Sequence, residues 1–291
     1  MEIILKNKSG EEVIFNNYSS FIINNFQDDG IKVSNISNKS MLQDGQQYLD
    51  NTLNTRQLRL KYTIIADNRI ELEEKRLKLN RVINPKNGEL EIQLIIDNRH
   101  YKINAMLDGT PANVDSGCCF NESNLTFLCN NPFWINNLDE KVSIALWKGD
   151  FHFPLVIPVN RGITMGHREP SLIVNVINNG HVKTGMIIEF RARGILKNPS
   201  LFNVNTREFI KINKEMVAGE KFIINTNCGK KKIIQNLNGI ETDILNYLDI
   251  VGGGDTFLQL DVGDNLFRYN ADSNLDNLEV NIYFSSQYLG V

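Results

Sequence analysis

The chain has 291 residues, 42% of them hydrophobic and 22% charged, with a formal net charge of −3. These are the proportions of a soluble globular protein long enough for two ordinary domains, each able to bury a core without metals or disulfides. The near-neutral balance speaks against a dedicated nucleic-acid binder, which needs excess cations to displace phosphate counterions, and no apolar stretch approaches the length of a membrane span.

Met1 to Phe26 reads as short strands at Glu2–Lys6, Val13–Phe15 and Phe21–Asn25, turning at Gly10 and Asn16-Asn17. The start lacks the basic residues, long apolar run and cleavage site of a signal peptide, so synthesis and folding in a cytoplasm are expected. From Gln27 to Thr55 the pattern weakens into a polar stretch carrying Gly30 and Gly45. So long a loop in a compact domain is uncommon and often functional. It reads as an extended arm or β-hairpin that packs on a neighbouring subunit. Leu58, Leu60, Tyr62 and Ile64 then alternate with Gln57, Arg59, Lys61 and Thr63, a strand with one apolar and one basic or polar face.

Between Asn68 and Ile83 the period becomes helical, with Ile70, Leu77 and Val82-Ile83 on one apolar stripe. Asn68 is the expected N-cap, Glu74 and Lys78 stand in the favourable i,i+4 order, and Asn84-Pro85 stops the helix. Pro85-Lys86-Asn87-Gly88 turns the chain into a hairpin. Its strands are Leu90–Ile96 and Tyr101–Leu107, joined through Asp97-Asn98-Arg99, and a last strand follows at Ser123–Cys129. This first part is α+β with mostly antiparallel pairing.

Asn131-Pro132-Phe133-Trp134 breaks the pattern, and a domain boundary is expected near residues 135–150. The second domain opens at Phe151-His152-Phe153-Pro154. Nine short alternating strands follow, near 172–177, 186–193, 201–205, 208–213, 221–225, 231–235, 256–262, 267–270 and 278–284, with no helix between them. That spacing predicts a jelly-roll or lectin-like sandwich.

Chemistry-bearing patterns are sparse. Cys118, Cys119, Cys129 and Cys228 form no Cys-x-x-Cys, and His100, His152, His167 and His181 stand at no metal-ligand spacing, so the cysteines read as reduced, small apolar residues. Val251-Gly252-Gly253-Gly254-Asp255 has no following Lys-Ser/Thr or helix, and reads as a flexible connector rather than a phosphate cradle. Asp261, Asp264 and Asp272 match no calcium loop. Glu208, Glu215 and Glu220 could pair as glycosidase carboxylates only if the fold set two of them across a cleft. Gly229-Lys230-Lys231-Lys232 reads as a solvated hairpin end. Trp134, Trp147 and His152, and Tyr247, Phe267, Tyr269 and Tyr283 of the sandwich, are the aromatics a sugar-binding face would use. A non-catalytic module binding cell-wall carbohydrate is therefore the alternative to a protein whose work is assembly.

Several stretches, taken in order, carry a family likeness. They are Asp44-Gly45 before Arg56-Gln57-Leu58-Arg59-Leu60, the helix end Leu79-Asn80-Arg81-Val82-Ile83-Asn84-Pro85, and Asn131-Pro132-Phe133-Trp134 at the boundary. Asn178-Asn179-Gly180 and Thr184-Gly185 follow, then Gly219-Glu220-Lys221-Phe222-Ile223-Ile224-Asn225-Thr226, where the family often has Asp in place of Asn225, and finally Gly263-Asp264-Asn265 and Tyr288-Leu289-Gly290. In this order the chain resembles the distal tail proteins of long-tailed bacteriophages, the Dit family. The resemblance implies a mainly β protein: a tail-tube-like, ring-forming domain at 1–136, a linker at 137–150 and a jelly-roll, galectin-like sandwich at 151–291. It implies a hexameric ring at the virion tail tip (or that of a tail-like particle), between the tail tube protein and the tail-associated hub protein. Receptor-binding or host-wall components would sit on the second domain, and DNA would pass through the channel without specific binding. No enzyme activity, cofactor, metal or membrane is implied. The interface candidates are Gly30, Gly45, Arg56, Arg59, Lys61, Phe133 and Trp134.

Overall fold

A computed structural model describes residues 1–42, 44–111, 119–136, 140–144, 147–149, 166–168 and 173–291. The chain divides into two compact units, Met1–Leu138 with Gln287–Val291, and Asp139–Ser286.

The first unit contains β1 (Glu2–Lys6), β2 (Glu12–Phe15), β3 (Phe21–Asn38), β4 (Gln47–Ile65), α1 (Arg69–Val82), β5 (Leu90–Ile96), β6 (Arg99–Leu107), β7 (Phe120–Cys129) and β8 (Trp134–Asn136). Every pairing is antiparallel and the strand order is β2-β1-β5-β6-β7-β4-β3. Asp97 and Asn98 both take positive φ (47° and 65°), the primed turn that a two-residue hairpin between β5 and β6 requires. Leu5, Leu58, Leu60, Tyr62, Ile92 and Phe127 are among the residues that fill the core.

Helix α1 forms where its caps predict. The Asn68 side chain accepts the Glu71 N–H at 2.9 Å, and the Glu71 carboxylate accepts the Asp67 N–H at 2.8 Å. Its i,i+4 ion pairs are Glu71–Lys75 at 2.6 Å and Arg69–Glu73 at 3.7 Å, one turn earlier than the expected Glu74–Lys78 pair. The expected stripe needs correcting too. Leu72, Leu79 and Val82 face the core, whereas Ile70 and Leu77 are exposed. Two apolar sets share the helix, and periodicity could not say which one the sheet would cover.

The second unit contains β9 (Glu140–Ser143), β10 (Trp147–Gly149), β11 (Gly166–Arg168), β12 (Ile173–Asn178), β13 (Met186–Ala192), β14 (Leu196–Lys197), β15 (Ser200–Asn203), β16 (Phe209–Lys211), β17 (Glu215–Met216), β18 (Lys221–Asn225), β19 (Lys232–Leu237), β20 (Ile240–Asp243), β21 (Gly263–Asn270) and β22 (Leu278–Phe284). A six-stranded sheet, β20-β19-β18-β13-β22-β9, and a four-stranded sheet, β12-β21-β15-β16, share one core. Phe190, Phe222 and Ile282 enter it from the first sheet; Val176, Leu201 and Phe267 enter it from the second. This is the predicted sandwich. The expected strand at 256–262 is absent as a ladder. Leu258 and Leu260 are buried there, but within it only one isolated bridge forms, Leu260 with Thr184. Alternation reports burial of one face, and that burial needs no partner strand.

The last strand, β23 (Gln287–Tyr288), pairs with β8 in the first unit, so residues 287–291 lie with the first unit and not with the sandwich that precedes them. Within the expected linker, Glu140–Ser143 is already a strand of the sandwich. Residues 137–139, 145–146 and 150 of the expected linker lie outside the described residues, as do Phe151–Pro154 with His152.

Candidate assembly site: the arm and its root

β3 and β4 form one long hairpin with two environments. Over Leu58–Ile64 every second residue of β4 is buried, because that half is backed by the core and flanked by β7. From Gln47 to Thr55, and from Lys32 to Asn38 on β3, every residue is exposed, with strand partners but nothing over either face. Val33 pairs with Leu53, and Ile36, Met41, Leu42, Tyr48 and Leu49 are also exposed. Gly45, at φ +79°, sits in the connection at the tip. A lone two-stranded ribbon is marginal in water. This one is held by local polar bonds, Asn54 Nδ2 to Ser34 Oγ at 2.8 Å and Asn51 Nδ2 to the Tyr48 hydroxyl at 2.6 Å.

The arm is rooted in a polar knot that joins a buried guanidinium to a partly exposed carboxylate. Arg56 is 1% exposed. Its Nε donates to the Pro132 carbonyl at 2.7 Å, and its two terminal nitrogens donate to the Asp28 carboxylate and to the Leu289 carbonyl. Trp134 Nε1–H also donates to Asp28 Oδ2, at 3.1 Å. The other Asp28 oxygen accepts the Gly30 N–H at 2.9 Å, and Gly30 takes φ +74° where the β3–β4 register shifts between Asp28 and Ile31. One carboxylate therefore joins the arm's bulge to a guanidinium that two other segments also hold, through the Pro132 and Leu289 carbonyls. Cys129 lies against the same cluster, and burial pushes its thiol up to about 12, so it stays protonated at neutral pH.

The seven expected interface residues divide by location. Arg56 and Trp134 are buried inside the unit, and Gly30 shapes the root. Gly45 is at the tip, and Phe133 is half-buried beside the knot. Arg59 and Lys61 point from the polar face of β4 into a groove of about 480 Å³ that Gln27, Gln57, Asn124 and Thr126 also line. Each meets a carboxylate, Arg59 with Asp29 at 2.9 Å and Lys61 with Glu122 at 4.0 Å. Sequence reasoning missed Asp28 and the carbonyls of Pro132 and Leu289. A backbone acceptor leaves no trace in residue type, and Asp28 is one carboxylate among many polar neighbours.

Most of the other candidates have local partners. Asp261 pairs with Lys183 at 3.1 Å, Asp264 accepts from Asn175 at 2.6 Å, and Asp272 is bound by Asn198 and Lys211; no group of three or more potential metal ligands forms among the described residues. Glu215 pairs with Lys197 at 3.2 Å, and Glu220 is buried with one oxygen on the Val217 N–H at 2.8 Å. The glycine run is a fitted turn rather than a loose connector. A Cβ on Gly252 would meet Asp249 Oδ2 at 2.2 Å, and one on Gly254 would meet the Phe209 ring at 2.6 Å. In the lysine cluster, Lys231 lies 5.2 Å over the Phe257 ring. Phe267 and Tyr269 are core residues, Lys214 lies 4.9 Å over Tyr247, and Lys141 lies 5.5 Å over Tyr283. Phe267 and Tyr269 are thus withdrawn from any sugar face, whereas Tyr247 stays exposed with a cation on its ring. No described helix is long and apolar enough to cross a membrane.

Two family models match the chain. The phage tail protein RIFT-related domain matches residues 8–129, and the siphovirus-type tail component, C-terminal domain, matches residues 179–288. No curated protein matches it. Among solved structures, the Dit protein of phage SPP1, described as a paradigm of the hub adsorption apparatus in phages infecting Gram-positive bacteria, superposes with a TM-score of 0.67 at 13% identity, covering 98% of each chain. Chains of the phage p2 baseplate in its activated conformation superpose at 0.57 and 11% identity with Ca, covering 100% of this chain and 99% of that one. With Sr the values are 0.54 and 10%, covering 97% of each. At these identities the structures show a shared fold. With a tail-component model on each unit and that fold running end to end, the chain belongs to the siphovirus distal tail (Dit) family, structural proteins of the phage tail and baseplate.

Proposed function

We propose that the protein closes into a hexameric ring at the tail tip, joining the tail tube to the hub, and that its exposed arm makes the contact between copies. One observation carries this reading: a ribbon bare on both faces, with apolar side chains along it, that a solitary domain gains nothing by extending. A ring of identical copies repeats one heterologous contact until it closes, and an edge of paired strands suits that contact. The groove face of β4 fits a channel wall, because its cations are already matched by Asp29 and Glu122 and hold little charge for DNA phosphates. The sandwich offers peripheral components an apolar rim, where Leu245, Tyr247, Ile250 and Val251 are exposed beside the fixed glycine turn. The function is mechanical, and we assign no reaction to it.

The test is to replace residues 32–55 by Asn-Gly, which shortens the hairpin to its supported half. Wild type should run as a ring by size-exclusion with light scattering and show six-fold annuli in negative stain. The shortened protein should stay folded and monomeric. A shortened protein that still forms six-fold rings would refute the arm's role.

A further inference from the structure

We propose that Arg56 is a positioning residue for the arm and that residues 287–291 set it, so that ring assembly depends on a segment made after the whole second unit. The inference rests on the ring reading above. The arm leaves the supported sheet at a bulge that Asp28 holds through the Gly30 N–H. Asp28 is itself held by Arg56 and Trp134. Arg56 donates to the Pro132 and Leu289 carbonyls, and Leu289 is in place because Gln287 and Tyr288 pair with Ile135 and Trp134. The Tyr288 ring also meets Tyr101 edge-on, with centroids 5.7 Å apart.

Without residues 287–291, Arg56 loses an acceptor. A buried guanidinium left short of a partner must move or admit water. Asp28 moves with it, and the bulge loses its fixed geometry. The arm amplifies the change. Eight residues of strand reach about 25 Å, so a swing of about 10° at the root shifts the tip by roughly 4 Å, close to one strand spacing. That is enough to miss a pairing register. The N-terminal unit of a nascent chain therefore carries its arm unaimed until the last strand has docked, which disfavours rings of unfinished subunits.

The experiment compares wild type, Asp28→Asn and a truncation after Ser286 over a concentration series by size-exclusion with light scattering. Circular dichroism and urea unfolding monitor the fold. Both variants should keep their strand signal and need a concentration higher by about tenfold or more for half-assembly. A purely structural role would lower the urea midpoint and leave the assembly threshold of the folded fraction unchanged. Folded variants that assemble at the wild-type threshold overturn the proposal. If the truncated chain does not fold, Asp28→Asn decides by the same measure. A wild type that stays monomeric sinks the ring reading and this inference together, an outcome distinct from rings that ignore the variants.

Discussion

Residues 56–65 and residues 47–55 belong to one strand, yet different physics shapes them. In the first stretch Arg56, Leu58, Leu60, Tyr62 and Ile64 are buried in turn, because a core lies behind one face. In the second, every residue is exposed and the side chains follow no alternation. The backbone pairing continues through both. Strand geometry and sequence alternation are therefore separable. Alternation records a buried face within the subunit, and a strand that the subunit leaves uncovered on both faces has no reason to show it.

Substitution in the supported half carries the largest cost. Leu60→Ala should destabilise the protein by about 2–5 kcal/mol, since it empties a packed core site. A urea midpoint near that of wild type would mean the half is not supported as described. The outer half should behave in the opposite way. Leu53→Asp, opposite Val33, should change stability by no more than about 0.5 kcal/mol while raising the concentration for ring assembly. Loss of stability with normal assembly would reverse the assignment.

Cysteine reactivity sharpens the same contrast of buried root and open surface. Cys228 is exposed and should take iodoacetamide within minutes at pH 8. Cys129 is fully buried with its thiol raised to about 12, and should stay unlabelled until the fold opens. Fast labelling of Cys129 in the monomer would show that the knot breathes.

The smallest effect concerns the sandwich. The Asn198 amide and the Lys211 ammonium hold the Asp272 carboxyl below its ordinary range. A lowered folded pKa means that the contribution is complete above the unfolded value and disappears as pH falls through the folded one. Asp272→Asn should therefore flatten the acid-side fall in stability slightly and change nothing at neutral pH beyond about 1 kcal/mol, because the pair is solvated. An unchanged acid limb would mean that the Asp272 contacts add nothing to stability.

The arm shows how far sequence reading reached. Polar composition, Gly30 and Gly45 marked a segment with no core behind it, and the structure makes it a hairpin. The root was illegible. Arg56 stood in a basic-looking strand and reads as a surface cation until the fold encloses it. Its acceptors at Pro132 and Leu289 are 76 and 233 residues away in sequence, and both are carbonyls that any residue supplies.

Local patterns in the chain encoded the strand-rich class, the capped helix, a hairpin connection at Asp97-Asn98 (read one residue too long, through Arg99) and the alternating faces of the sandwich. Each is a local matter of backbone preference or side-chain period, encoded within a few residues. Long-range packing set which apolar set of α1 is covered, that residues 287–291 return to the first unit, and that Arg56 is internal. Those outcomes depend on which distant surfaces meet. A long-range contact is selected by the energy of the whole packed unit, and no short window of sequence contains that energy.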